Sequence, residues 1–399
     1  MKKLLLSVVW CIVPFFSFAQ TPWTAQGAFP ATKTDKTDFW QAWQARAKSL
    51  MSLSGHGVAV DPDGKIWYQP FSPSDSVEVP ASIRSLYVTF GTSGVNQTGV
   101  RPSGYSLTRV IYVFNPDGTQ AAFSPIRFID LPGGKRDTLG LVTIPGTGVN
   151  AGKKVFDPNS GRGLNTDHNG NILVSQFNIL YRLDYKTGAG LGKVTANTIG
   201  SSIAAATTDK AGNVFVATVA PGNPIKIYDK DFNFIGNALS KSVGFSRQFA
   251  VSEDGNTIYW AGYSNKGVIF YSRPDEFSPF DSTGMVLQGT FPESMQRHPV
   301  TGHLWISAGG LANATTPDPA QTPLKATNWY SFDVSKLTPK VAGDIETPIE
   351  SFEWKNVVAP TDLPNPRGMA FTKDGKTSYA ISFGGASPFM GKFTAPAPS

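Results

Sequence analysis

The stretch GHGVAVDPDGKIWY at residues 55–68 constrains this chain more than any other, because degenerate copies of it return five times. Gly57, Val58, Ala59 and Val60 are small and apolar, as suits a strand packed closely on both faces. Asp61, Pro62, Asp63 and Gly64 make a reverse turn, with Gly64 free to take a positive φ. Lys65 to Tyr68 alternates polar with β-branched or aromatic residues and reads as the returning strand. The copies are GRGLNTDHNGNILV at 161–174, AAATTDKAGNVFVA at 204–217, SRQFAVSEDGNTIYW at 246–260, PESMQRHPVTGHLWI at 292–306 and PRGMAFTKDGKTSYA at 366–380.

Aligned on the turn glycine, the copies give Gly64, Gly170, Gly212, Gly255, Gly302 and Gly375 one role, with successive gaps of 106, 42, 43, 47 and 73 residues. Three gaps lie near the roughly 40–45 residues of one four-stranded propeller blade. A second strand pair with aromatics follows each hairpin, as in RVIYVFNPDGT at 109–119 and IKIYDKDFNFIG at 225–236. Such a sheet cannot bury both faces alone, whereas a closed ring of them can. The expectation is an all-β, six-bladed β-propeller over residues 55–399, one domain of four antiparallel strands per blade. The alternative is seven blades, with SIRSLYVTFG at 82–91 opening the extra one.

Residues 1–19 read as a signal peptide: Lys2 and Lys3, an apolar run from Leu4 to Phe16, and a small-residue cleavage context near Ala19. The run is too short to span a bilayer, which needs about 20 residues, and no later stretch is longer. The chain is therefore expected to be exported, periplasmic or secreted. Its one cysteine, Cys11, lies inside that segment, which excludes disulfides and thiol chemistry from the mature protein. The net charge of +6 carries no run of lysine and arginine, so a nucleic-acid partner is not indicated. Residues 20–54 read as an N-terminal arm, with Asp38 to Leu53 as a short helix on the propeller flank; the rival reading is that a segment from before Gly55 supplies the outermost strand that the last blade lacks.

Five positions before the turn aspartate, or its equivalent, stand His56, Arg162, Ala204, Arg247, Glu293 and Arg367. In a propeller this position begins the innermost strand, so these side chains should meet around one mouth of the central channel. Arginine forks match carboxylate or phosphate oxygens, which makes an anionic guest the natural one. The competing reading is purely structural: Glu293 pairs with neighbouring arginines and the others reach solvent. Insertions at 70–106 and 309–327 should decorate the same face. His168 and His298 belong to turns on the opposite face and His303 lies close by, so no three-histidine metal site is expected. The Asp-x-Asp-Gly turns lack the other ligands of a calcium loop and read as hairpin turns.

The repeats GHGVAVDPDGKIWY, GRGLNTDHNGNILV and PRGMAFTKDGKTSYA resemble NHL repeats, and residues 55–399 resemble the superfamily of six-bladed propellers that includes gluconolactonase-like lactone hydrolases, amidating lyases and, with more blades, streptogramin lyases. The resemblance implies fold far more than function. The lactonases hold a metal with glutamate, asparagine and aspartate, whereas here only Glu293, in Pro-Glu-Ser, stands at such a position and no aspartate does. The lyases use histidine and acidic residues with a divalent ion, to which His56 and Glu293 would correspond. The functional expectation is a monomeric binding protein for an anionic small molecule, glycan or protein, using His56, Arg162, Arg247, Glu293 and Arg367 and no cofactor. The alternative is a metal-dependent lyase or lactone hydrolase with His56 or Glu293 as base.

Overall fold

A computed structural model describes residues 21–31, 55–71, 75–86, 105–143, 146–149, 151–156, 161–194, 200, 202–310, 316–339, 346–354, 365–383 and 390–397. The leader at 1–19 and the 38–53 stretch lie outside them. The described chain is a six-bladed β-propeller, and its helical content among those residues is two short 3-10 turns, Ala81–Leu86 and Val334–Lys336.

Each repeat hairpin forms the inner half of a blade. Blade 1 is Gly55–Val60, Ile66–Pro70 and Tyr112–Phe114, with Ile126 bridging Ile111 at the fourth position. Blade 2 is Gly161–Thr166, Ile172–Gln176, Ile179–Leu183 and Gly190–Val194, and blade 3 is Thr207–Thr208, Val214–Val216, Ile225–Tyr228 and Phe234–Leu239. Blade 4 is Phe249–Val251, Thr257–Gly262, Gly267–Ser272 and Asp281–Val286, and blade 5 is Met295–Arg297, Leu304–Ser307, Asn328–Phe332 and Glu350–Glu353. Blade 6 is Asn365–Phe371, Thr377–Phe383 and Met390–Thr394, and its outermost strand is Thr24–Ala28 from the other end of the chain. Inner strands of successive blades lie side by side all the way round, the sixth against the first. Among the described residues no seventh blade forms: Ala81–Leu86 is an exposed 3-10 turn, and the rest of the 82–91 segment lies outside the described residues.

The core lies between blades, where facing sheets bury whole aromatic side chains: Trp67, Trp260, Trp305 and Trp329 are all fully buried. The turns interlock as well. A Cβ on Gly170 would sit 2.2 Å from the Pro62 ring of the preceding blade, and one on Gly375 would sit 2.3 Å from the His298 ring. Both glycines also hold positive φ, +86° and +70°. The turn glycine thus serves its own hairpin and leaves room for the neighbouring blade.

Residues 21–30 close the ring. Thr21–Pro22 pairs in parallel with the edge of blade 5 at Glu350 and Ser351, and Thr24–Ala28 then pairs antiparallel with Met390–Thr394. Trp23, between these strands, packs edge-on against Trp305 of blade 5 at 5.3 Å and Phe371 of blade 6 at 5.8 Å. Phe29 reaches the next seam, meeting Tyr379 of blade 6 at 4.9 Å and Phe114 of blade 1 at 6.1 Å. One short segment therefore ties three blades and covers two sheet edges that would otherwise be unpaired.

Candidate functional site

The inner strands bring their first residues together at one end of the channel, and the local cause is visible in the register. Pairing slips by one residue between Gly55 and Gly57, between Gly161 and Gly163, and between Pro366 and Gly368. His56, Arg162 and Arg367 are therefore the extra residues of three β-bulges, a device that turns a side chain out of the ordinary alternation. The small neighbours permit it: a Cβ on Gly57 would sit 2.6 Å from the backbone nitrogen of Leu164, and one on Gly163 would sit 2.6 Å from the Ala205 methyl. Side chains lock adjacent blades beneath the bulges. Gln69 Oε1 accepts from the Gly163 amide at 2.9 Å, Ser175 Oγ from Ala206 at 3.2 Å, and Gln248 Oε1 from Met295 at 2.8 Å. Ser307 Oγ accepts from both the Glu293 and Ser294 amides, at 3.1 and 3.0 Å.

The charged groups that result are almost fully buried. Glu293 is 1% exposed, Arg367 3%, His56 4% and Arg162 8%. Glu293 Oε2 lies 2.8 Å from Arg367 Nη2 and 3.3 Å from Arg247 Nε, so one carboxylate is shared by two guanidinium groups. These contacts are close without hydrogen-bond alignment. Among the described residues, Arg367 Nε and Nη1 and both ring nitrogens of His56 have no hydrogen-bond partner. Burial holds the His56 imidazole well below its ordinary value, and the Arg367, Arg162 and Arg247 charges push it the same way. It is neutral at pH 7, with one nitrogen a donor and the other an acceptor. Burial also lowers the Arg367 guanidinium, an effect that Glu293 opposes. Blade 3 contributes only Ala204, fully buried.

Sequence reasoning missed an aromatic rim around this cluster. Phe71 stacks on His56 at 5.4 Å and meets Phe383 at 5.2 Å. Arg162 lies between the Phe71 and Phe177 rings, Arg247 between Phe245 and Tyr263, and Arg367 sits 4.1 Å from the Phe383 centroid. Phe291 extends the row, 6.0 Å from Tyr263. The Tyr263 phenol is pushed up by burial and by Glu293. The signal was present: Phe71, Phe177, Tyr263 and Phe383 each stand seven or eight residues past their turn glycine. The contacts run as one arc through blades 2, 1, 6, 5 and 4. Beside it the 70–106 insertion begins as a ribbon, Asp75–Glu78 against Tyr105–Thr108, anchored by Asp75 to Arg127.

The other end of the channel opens into a cavity of about 820 Å³ lined by the repeat turns, among them Asp61, Asp167, Asp209 and His168. Its carboxylates serve the turns. Asp61 accepts from the Asp63 and Lys65 amides and from Trp67 Nε1, all within 3.0 Å, and Asp167 accepts from the Asn169 and Asn171 amides and pairs with Arg182 at 2.8 Å. His298 bonds Gly375 O through Nε2 at 3.0 Å while Nδ1 accepts from the Thr301 amide at 3.1 Å. Among the described residues no group of three His, Cys, Asp or Glu is placed to hold a metal. No described helix is long and apolar enough to cross a membrane.

No family model matches the chain, and no curated protein is significantly similar to it. Among solved structures it is similar to virginiamycin B lyase from Staphylococcus aureus, at 13% identity and a TM-score of 0.44 over 87% of this chain and 98% of that one. It is likewise similar to regucalcin, a calcium-binding protein from Agrobacterium tumefaciens, at 10% identity and a TM-score of 0.46 over 94% and 95% of the two chains. A Bacteroides caccae protein of unknown function matches at 12% identity and a TM-score of 0.41 over 68% of this chain and 78% of that one. The class defined by the chain's own strand order is the six-bladed β-propeller.

Proposed function

We propose that this protein is an exported β-propeller that binds a small anionic molecule at the channel mouth formed by His56, Arg162, Arg247, Glu293 and Arg367. The observation that carries the reading is the sharing of one carboxylate: among the described residues, Arg247 and Arg367 both lie against Glu293 Oε2, beside the neutral His56 imidazole and in a place largely closed to water. Burying cations without matching anions is costly. An anion that enters this mouth offsets that cost and meets hydrogen-bond donors already fixed by packing. Glu293 orients Arg247 and Arg367 rather than neutralising the site. The test is thermal unfolding in a halide-free buffer with and without added sodium acetate. Stabilisation of the wild type by acetate that disappears in Arg247→Ala supports the reading, and identical melting with and without acetate overturns it.

A second reading has one observation in its favour. His56 is held as the free base, the form that a proton-abstracting residue needs, with Arg367 near enough to stabilise developing negative charge. Glu293 is engaged instead as the shared partner of two guanidinium groups. A lyase of this kind loses turnover in His56→Gln while keeping anion affinity, and turnover that persists in His56→Gln refutes the assignment. Export rests on residues 1–19, and amino-terminal sequencing of the protein from culture should start near Gln20.

A further inference from the structure

The rings at the mouth differ from the aromatic residues elsewhere. Trp67, Trp260, Trp305 and Trp329 are sealed between blades, whereas Phe71, Phe177, Phe245, Tyr263, Phe291 and Phe383 are all partly open to solvent. Open rings gathered at one concave place mark a surface that something apolar covers. Here they alternate with charge, since each arginine of the mouth rests against one or two of them. A guanidinium held against a ring face is fixed in direction and poorly hydrated. It pairs best with an anion that gives up its own water easily.

We infer that the ligand is a small organic carboxylate with a flat apolar body, its carboxylate lodged between Arg247, Arg367 and His56 and its body laid on the rim at Phe71, Phe177 and Tyr263. This rests on the anion-binding reading and narrows it. Inorganic phosphate and sulfate keep their water more tightly and have nothing to place against the rings. Three features combine in the carboxylate's favour: the Nε and Nη1 of Arg367 stand without partners among the described residues, the neutral His56 offers one donor, and the rings supply apolar area a few ångströms away.

The test is isothermal titration at pH 7 and fixed ionic strength with acetate, phenylacetate and inorganic phosphate. Phenylacetate is expected to bind the wild type at least tenfold more tightly than acetate or phosphate. Phe177→Ala, at a partly exposed position, should cost phenylacetate at least fivefold more affinity than it costs acetate. Equal affinity for acetate and phenylacetate, or a preference for phosphate, overturns the inference and leaves anion binding standing. Binding of none of the three overturns the anion-binding reading itself. The comparison among ligands needs only the wild type, so a misfolded variant does not decide it.

Discussion

Replacing Glu293 by Gln keeps the side chain's volume and removes the one carboxylate that holds two guanidinium groups together. The structure sets the size of the effect. Glu293 and Arg367 are 1% and 3% exposed, so water does little to screen the charge left behind. Breaking a buried pair by removing one partner costs about 3–5 kcal/mol. Arg247 lies at the lower end of that range, because its side chain is 21% exposed and partly relaxes toward solvent. The expected loss is therefore about 3 kcal/mol, a substantial part of the roughly 5–15 kcal/mol that stabilises an ordinary domain. Urea denaturation at pH 7 measures it, as a fall in midpoint with an unchanged slope. The same experiment in saturating acetate should return part of the loss, since an anion in the mouth takes over the carboxylate's role. Bound ligand at about 100 times its Kd adds about 2.7 kcal/mol. A loss below about 1 kcal/mol, the scale of an exposed ion pair, would refute the claim that this pair is buried and shared.

Three further outcomes follow from the packing and the charges. Trp23→Ala should cost about 3–5 kcal/mol, as for other large buried aromatics, because the ring wedges blades 5 and 6; a melting temperature within 2 °C or so of wild type by calorimetry would show that the clasp is dispensable. Gly375→Ala should destabilise by at least about 1 kcal/mol, since φ is +70° and the new methyl would meet His298, and the cost should shrink in the His298→Ala background when measured as a double-mutant cycle. Burial and the surrounding arginines depress the folded-state pKa of His56 below 6.5, so as the pH falls past about 6.5 the unfolded chain takes up a proton that the folded one refuses, and stability drops until the folded pKa is reached. His298 is shifted in the same direction, so the diagnostic is the difference between wild type and His56→Gln, which should grow between pH 7 and pH 5; parallel curves would place His56 in water.

How much of this was legible in the sequence depended on whether a feature repeated in register. Five of the six repeats keep eight residues between this position and the turn glycine, so aligning Gly64 with Gly170, Gly212, Gly255 and Gly375 already placed His56, Arg162, Arg247 and Arg367 in one ring position. In the fifth repeat the spacing to Gly302 is nine, and Glu293 joins them when counted five places before His298, which stands where the others have the turn aspartate or its equivalent. The aromatic rim was harder to see, because the hairpins of blades 4 and 6 are one residue longer and shift Tyr263 and Phe383 out of line with Phe71 and Phe177. The closing strand was hidden for another reason: Thr24–Ala28 is TAQGA, with no apolar alternation, and it pairs through its backbone while Trp23 and Phe29 outside it carry the burial. The bulges that lift His56, Arg162 and Arg367 are products of register between strands, which a one-dimensional reading does not contain.

The central claim is that hairpins far apart in sequence build one anion-binding mouth, and locating an anion tests it most directly. Crystals grown in sodium bromide and measured at the bromine absorption edge should show an anomalous peak between Arg247, Arg367 and His56. Bromide found at surface sites and absent from that position would contradict the account.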